Sequence, residues 1–241
     1  MKEPKDYIIF PLDVPSLDKA MSYVKRLKGR VGLFKVGLEL FISQGPSVIG
    51  AVEEEGGARV FLDLKLHDIP ATMQRALRVA GSHGPAFVTV HCDEGEGFLK
   101  GFFEARAGRP STKVLAVTVL TSLNPQKLYR LGYAPHVADD LSGLALLRAE
   151  LAKEAGCHGV VCSGHEAARI KGEFGADFVV VTPGIRPSWS LVESDDQKRV
   201  MTPADAVKNG ADYVVIGRPI RDAADPAEAA LRTAEEIASA L

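Results

Sequence analysis

Eight short apolar runs, each followed by a stretch of helical periodicity or a loop leading to one, constrain this chain more than any other feature. The runs are Ile8–Asp13, Leu33–Val36, residues 58–65, Phe87–His91, Val114–Val119, Gly159–Cys162, Phe178–Thr182 and Tyr213–Ile216. Each has the length and β-branched content of a strand buried on both faces, as in a parallel sheet. Between them lie amphipathic patterns. Ser16 caps a helix with Leu17, Ala20, Met21, Val24 and Leu27 on one face; a second is interrupted at Gly45-Pro46 and stops at Gly56-Gly57. Pro70 opens a helix carrying Met73, Leu77 and Ala80, and later helices carry Phe98, Phe102 and Ala105, then Leu144, Leu147 and Leu151, then Ile170 and Phe174. The last opens on Asp225-Pro226, with Leu231, Ala234, Ala238 and Leu241 expected inward. With no break in composition across residues 1–241, the alternation predicts one α/β domain, a closed parallel (β/α)8 TIM barrel. An open doubly wound sheet is the alternative that the same pattern allows.

The third run carries charge where a buried strand should not. Alternation puts Phe61, Asp63 and Lys65 on one side and Leu62, Leu64 and Leu66 on the other. A carboxylate and an ammonium at the last inward positions are costly unless paired, which points to a site as well as to a structural ion pair. Lys35 on the neighbouring strand extends the alternation of sign, with Asp68 just beyond it. Such charges hold one another in place, and an ammonium facing a substrate suits proton donation to a developing carbanion. His67 falls on the opposite alternation and reads as structural; His91, at the end of the fourth run, reads as a hydrogen-bonded core histidine, with a place on the pocket lining as the alternative.

In a barrel the site lies at the C-terminal strand ends, and polar residues collect there. Asp13 ends the first run, Thr121 and Ser122 follow the fifth, Thr182-Pro183-Gly184-Ile185-Arg186 follows the seventh, and Gly217-Arg218-Pro219 follows the eighth. Glycine lets the backbone approach an anion and arginine offers a forked donor, so Gly217, Arg218 and Arg186 form a candidate phosphate site. A turn with a surface arginine gives the same letters; position after the eighth strand favours phosphate. From Pro183 to Met201 no apolar period is present, and a loop of that length reads as a lid, with Gln197 able to fold over a ligand, or as a solvated charged loop.

The charge balance excludes a global field for nucleic acid or acidic membranes: 29 Lys and Arg against 31 Asp and Glu give a net charge of −2. Cys92, Cys157 and Cys162 contain no CxxC pair and fit a reducing compartment as small buried hydrophobes. No His and Cys spacing matches a metal site. Neither a signal peptide nor an apolar stretch of about 18 residues is present, so the chain reads as cytoplasmic.

Asp63-Leu64-Lys65-Leu66-His67-Asp68-Ile69-Pro70 resembles the signature of the orotidine 5′-phosphate decarboxylase family, in its bacterial branch. Leu12-Asp13, Phe34-Lys35-Val36-Gly37, Leu120-Thr121-Ser122, Thr182–Pro187, Asp196–Arg199 and Ile216–Pro219 fall in the family's order and spacing. The resemblance spans nearly the whole chain. It implies a cofactor-free barrel without metal, acting on orotidine 5′-monophosphate and assembled as a homodimer with sites at the interface. By it, Asp13 and Lys35 contact the ribose, Asp63 lies beside the substrate carboxylate, and Lys65 delivers the proton to C6. Asp68 comes from the neighbouring subunit, with Ile69 and Thr72 also near the ligand. Thr121 and Pro183 line the substrate site, while Arg186, Gln197, Gly217 and Arg218 serve the phosphate.

Two positions depart from the family's common pattern, Ala71 in place of Asn and Asp196 in place of Gly; neither is the proton donor. Sugar-phosphate decarboxylases of the keto-gulonate phosphate type share the Asp-x-Lys-x-x-Asp strand but bind Mg2+, with an acidic residue where this chain has Lys35. A silent phosphate- or nucleotide-binding barrel is the rival from another class.

Overall fold

The computed structural model describes residues 2–92, 112–190 and 201–241. Its strands are β1 (Ile8–Pro11), β2 (Leu33–Gly37), β3 (Val60–Leu66), β4 (Phe87–His91), β5 (Lys113–Val117), β6 (Gly159–Val161), β7 (Val179–Thr182) and β8 (Tyr213–Val215). They pair in chain order, all parallel, and close through β1 and β8, where Ile8 faces Val214 and Ile9 faces Val215. This is the (β/α)8 barrel that the alternation predicts, and closure excludes the open sheet.

Each strand splits its side chains between two cores. Inside the barrel stand Ile9, Leu33, Phe61, Phe87, Leu115 and Val181, with Phe61 edge-on to Phe87 at 5.8 Å. Outside, Ile8, Phe10, Phe34, Leu62, Val88, Val160, Val180 and Val214 meet the helices. The period of two thus decides which residues reach the mouth of the barrel and which pack the helical layer.

Between the strands lie α1 (Leu17–Leu27), α2 (Leu38–Gln44), α3 (Ser47–Gly56), α4 (Pro70–Ser82), α5 (Pro125–Arg130), α6 (Pro135–Ala138), α7 (Leu141–Glu154), α8 (Gly164–Phe174), α9 (Pro203–Lys208), α10 (Arg218–Arg221) and α11 (Pro226–Ala238). The predicted stops and starts hold. Ser16 caps α1, Asp225 caps α11 with Pro226 at its first turn, and Pro70 opens α4. Gly57 ends α3 at φ 63°, a left-handed cap that costs glycine nothing, and its N–H donates to the Glu53 carbonyl.

Two buried faces differ from the expectation. On α7 the inward residues are Leu144, Ala145, Ala149 and Ala152, while Leu147 is 51% exposed. On α11 they are Ala229, Ala230, Thr233, Ala234 and Ile237, whereas Leu231, Ala238 and Leu241 face solvent. In both helices alanines fill the close approach to the neighbouring layer, so a leucine-led reading keeps Leu144 and Ala234 but sets the rest of the face off to one side. The expected helix with Phe98, Phe102 and Ala105 lies outside the described residues. Among the described residues, no helix is long and apolar enough to cross a membrane.

Candidate active site

The C-terminal ends of β1, β2 and β3 bring four of the expected charges into a chain of contacts. The β1–β2 ladder runs on through the Leu12 N–H, which donates to the Lys35 carbonyl at 2.8 Å, and leaves Asp13 just past the strand. Lys35 Nζ lies 2.9 Å from Asp13 Oδ1 and 3.4 Å from Asp63 Oδ2. Lys65 Nζ donates to the same Asp63 Oδ2 at 2.7 Å. Asp63 therefore sits between two ammonium groups, with its side chain 11% exposed.

The energetics of this array are set by burial against pairing. Burial alone raises the Asp63 carboxyl, but Lys35, Lys65 and a hydrogen bond from Thr89 hold it below the usual carboxylate range. Burial likewise pulls Lys35 down, and the carboxylates of Asp63 and Asp13 reverse it, leaving its pKa raised. Gly37 leaves room beside them: a Cβ there would meet Asp13 Oδ1 at 2.9 Å and Lys35 Nζ at 3.0 Å and would push on the ends of those two side chains.

A cavity of about 170 Å³ opens above the array. Of the candidate residues, Lys35, Asp63, Lys65, Thr121 and Pro183 line it; Phe61, Val117, Val119, Leu120, Val161, Cys162 and Val215 complete it. This apolar part was not among the expected site residues. Val117, Val161 and Val215 read in sequence as ordinary strand interior, and only closure of the barrel brings them under the charges. The loop bearing Thr121 is pinned by Arg148 of α7, whose Nη1 donates to the Thr118 carbonyl at 2.6 Å.

Arg186, Gly217 and Arg218 stand at the ends of β7 and β8 and are not part of that lining. Arg186 is 7% exposed, and Arg218 is exposed at the start of α10. Ile185 bridges to Met201 and the Arg186 N–H donates to the Met201 carbonyl at 3.0 Å, so the two roots of the long segment after β7 are joined. Ser188 then binds Glu236 of α11 through its N–H and its hydroxyl. Gln197 and Asp196 lie outside the described residues.

On the outer side of β3 the arrangement is different. Asp68 is exposed, accepts from the Ile69 N–H at 2.7 Å, and makes no ion pair within 4.0 Å among the described residues. Ile69 is 65% exposed, and the Thr72 hydroxyl accepts from Arg75. His91 is half-buried and its ring lies 5.4 Å from that of His67.

One participant was absent from the expectation altogether. Thr89 of β4, fully buried, donates from its hydroxyl to Asp63 Oδ1 at 3.0 Å and accepts the Lys65 N–H at 2.8 Å. Lys65 is the one non-glycine residue among those described with positive φ, at 51°.

The comparisons with known proteins agree with this geometry. A family model described as Orotidine 5'-phosphate decarboxylase / HUMPS family matches residues 6–233. The orotidine 5'-phosphate decarboxylase of Desulfosudis oleivorans is 46% identical over all of this chain and 96% of that protein. That of Syntrophus aciditrophicus is also 46% identical, with 100% and 96% covered. The crystal structure of orotidine 5'-phosphate decarboxylase from Lactobacillus acidophilus superposes with a TM-score of 0.81 at 33% identity, covering 95% of this chain and 98% of that one. A full-length match of this identity, on a barrel with Asp63 and Lys65 at its mouth, leaves no ambiguity of kinship: the chain belongs to the Orotidine 5'-phosphate decarboxylase / HUMPS family.

Proposed function

We propose that this protein decarboxylates orotidine 5′-monophosphate to UMP, the last step of UMP synthesis, with Lys65 as the proton donor. The observation that carries the reading is the Asp13–Lys35–Asp63–Lys65 array on the wall of a largely apolar cavity at the strand ends. Cleavage of the C6–carboxylate bond releases CO2 and leaves the electron pair on C6. The Lys65 ammonium faces that developing charge, and its attraction grows as the bond breaks, so it favours the transition state over the bound substrate. A proton passes from Nζ to C6, giving UMP, and the amine regains one from solvent. No step in this reading calls on a cofactor: stabilisation is electrostatic and uses the chain's own residues. Asp63 holds Lys65 in place and lies beside the substrate carboxylate; Asp13 and Lys35 face the ribose, and Ile69, Thr72, Thr121 and Pro183 supply the remaining substrate contacts.

The site is shared in this reading. Asp68 and Ile69 are exposed just past β3, and an apolar groove of about 450 Å³ lies over Leu62, Leu64 and Leu66, lined also by Phe41, Thr72 and Val79. A second copy covering that face would carry Asp68 to its neighbour's Lys65, completing a Lys-Asp-Lys-Asp array in a two-fold dimer.

Phosphate binding falls to Gly217, Arg218, Arg186 and Gln197, and energy from it closes the loop over the base. Arg218→Ala is expected to raise KM for the phosphorylated substrate roughly 10- to 100-fold, the worth of one charge-assisted hydrogen bond. The weak turnover of unphosphorylated orotidine should stay nearly constant; an equal loss for both substrates removes Arg218 from the phosphate.

Release of CO2 and UMP from orotidine 5′-monophosphate by the purified protein tests the reading as a whole. Full activity is expected in EDTA, because the Lys35 ammonium occupies the space between Asp13 and Asp63 that a divalent ion would need. UMP binding with no CO2 release would instead indicate a silent nucleotide-binding barrel.

A further inference from the structure

We propose that Thr89 is a positioning residue of the reaction, setting the geometry of the Asp63–Lys65 pair through its hydroxyl; the proposal rests on the decarboxylase reading. In β3 and β4, Phe61 faces Phe87 and Leu62 faces Val88, and a steady register would then place Asp63 opposite Thr89 and Leu64 opposite Val90. Instead Val90 pairs with Leu66, so β3 carries two extra residues at the point where Asp63 and Lys65 lie. A bulge of this kind re-aims side chains and leaves ladder groups without their backbone partners.

The Thr89 hydroxyl takes over that role. It accepts the Lys65 N–H at 2.8 Å and donates to Asp63 Oδ1 at 3.0 Å. Asp63 Oδ2 is thereby left to the lysines, at 2.7 Å from Lys65 and 3.4 Å from Lys35. One buried hydroxyl thus fixes the backbone of the proton donor and the rotation of its partner carboxylate together. Lys65 has φ 51°, a conformation a long side chain adopts only when its surroundings hold it there. Thr89 has no exposed surface and is not among the residues lining the cavity over the array, so it acts through Asp63 and Lys65, which do line it.

Valine keeps the shape of threonine and removes both hydrogen bonds; serine keeps the hydroxyl. Steady-state kinetics with orotidine 5′-monophosphate and binding of UMP are measured for wild type, Thr89→Val, Thr89→Ser and Thr89→Ala. Thr89→Val should lose about 10- to 100-fold in kcat, the cost of a donor displaced by about 1 Å, with KM and UMP affinity nearly unchanged. Thr89→Ser should retain near wild-type kcat, which a packing role for the methyl group would not predict. Wild-type kcat in Thr89→Val, or equal losses in the valine and serine variants, overturns the proposal. If Thr89→Val does not fold, alanine against serine makes the same contrast, and equal rates in those two overturn it. The two readings fail separately: an inactive wild type removes the decarboxylase reading and this one with it, whereas an active wild type with an active Thr89→Val removes the role of Thr89 alone.

Discussion

Lys65→Ala is expected to lower kcat by roughly 10,000-fold or more, since in the proposed mechanism it removes both the charge facing C6 and the proton delivered to it. The fold should survive. Asp63 keeps Lys35 at 3.4 Å and the Thr89 hydroxyl at 3.0 Å, so its carboxylate is not left buried without a partner. Near-wild-type thermal unfolding and UMP binding, with no detectable CO2 release, are the results that fit; turnover close to wild type would take Lys65 out of its role. The same variant tests the shared site. If the protein is a dimer in which Asp68 acts across the interface, mixing Lys65→Ala protomers with Asp68→Ala protomers gives heterodimers in which one site has both residues intact. Random mixing should then restore about a quarter of wild-type activity. No restoration would confine Asp68 to its own barrel.

Asp63→Asn should damage stability as well as catalysis. It leaves Lys35, 11% exposed, and Lys65 close together without the carboxylate that both contact. Removing one partner from a buried charge array costs about 3–5 kcal/mol, which for a chain of this size lowers Tm by roughly 6–20 °C. The pH dependence carries a sign that can be checked. A carboxyl held below its ordinary value stabilises the fold fully above about pH 4 and loses that contribution as pH falls through its depressed native value. Lys35, held above its ordinary value, contributes fully below about pH 10 and loses the contribution as pH rises through its raised native value. Asp63→Asn should therefore melt with a shallower acid slope than wild type. An unchanged Tm, or an unchanged acid slope, would mean that the pairing of Asp63 with the lysines does not stabilise the native state.

Much of the candidate site is legible in the sequence because its signals are local. Charge on an apolar strand is conspicuous whatever surrounds it, so Asp63, Lys65 and Lys35 were marked by cost alone. Arg218 and Gly217 were marked by position after the last strand. On α7 and α11 the pattern finds Leu144 and Ala234 but misses Ala145, Ala149, Ala229 and Ala230, because alanine is a weak signal in a hydrophobic pattern, although small side chains are what a close layer of helices accepts. Thr89 gave no signal at all. A threonine inside an apolar strand is common, and its part depends on a change of register between two strands.

What the sequence by itself determined, then, is the alternation of strand and helix, the polarity of the barrel and the charges at its mouth, since each follows from a period of two or 3.6 read along the chain. The tertiary structure alone decided the cavity's apolar wall, the close approach of Gly37 to the Asp13–Lys35 pair and the tie from Thr89 to a pair about 26 residues earlier. The physical reason is range. Periodicity reports which face a residue occupies, whereas contacts across a bulged ladder and a closed barrel depend on register, which is set by the packing of all eight strands together.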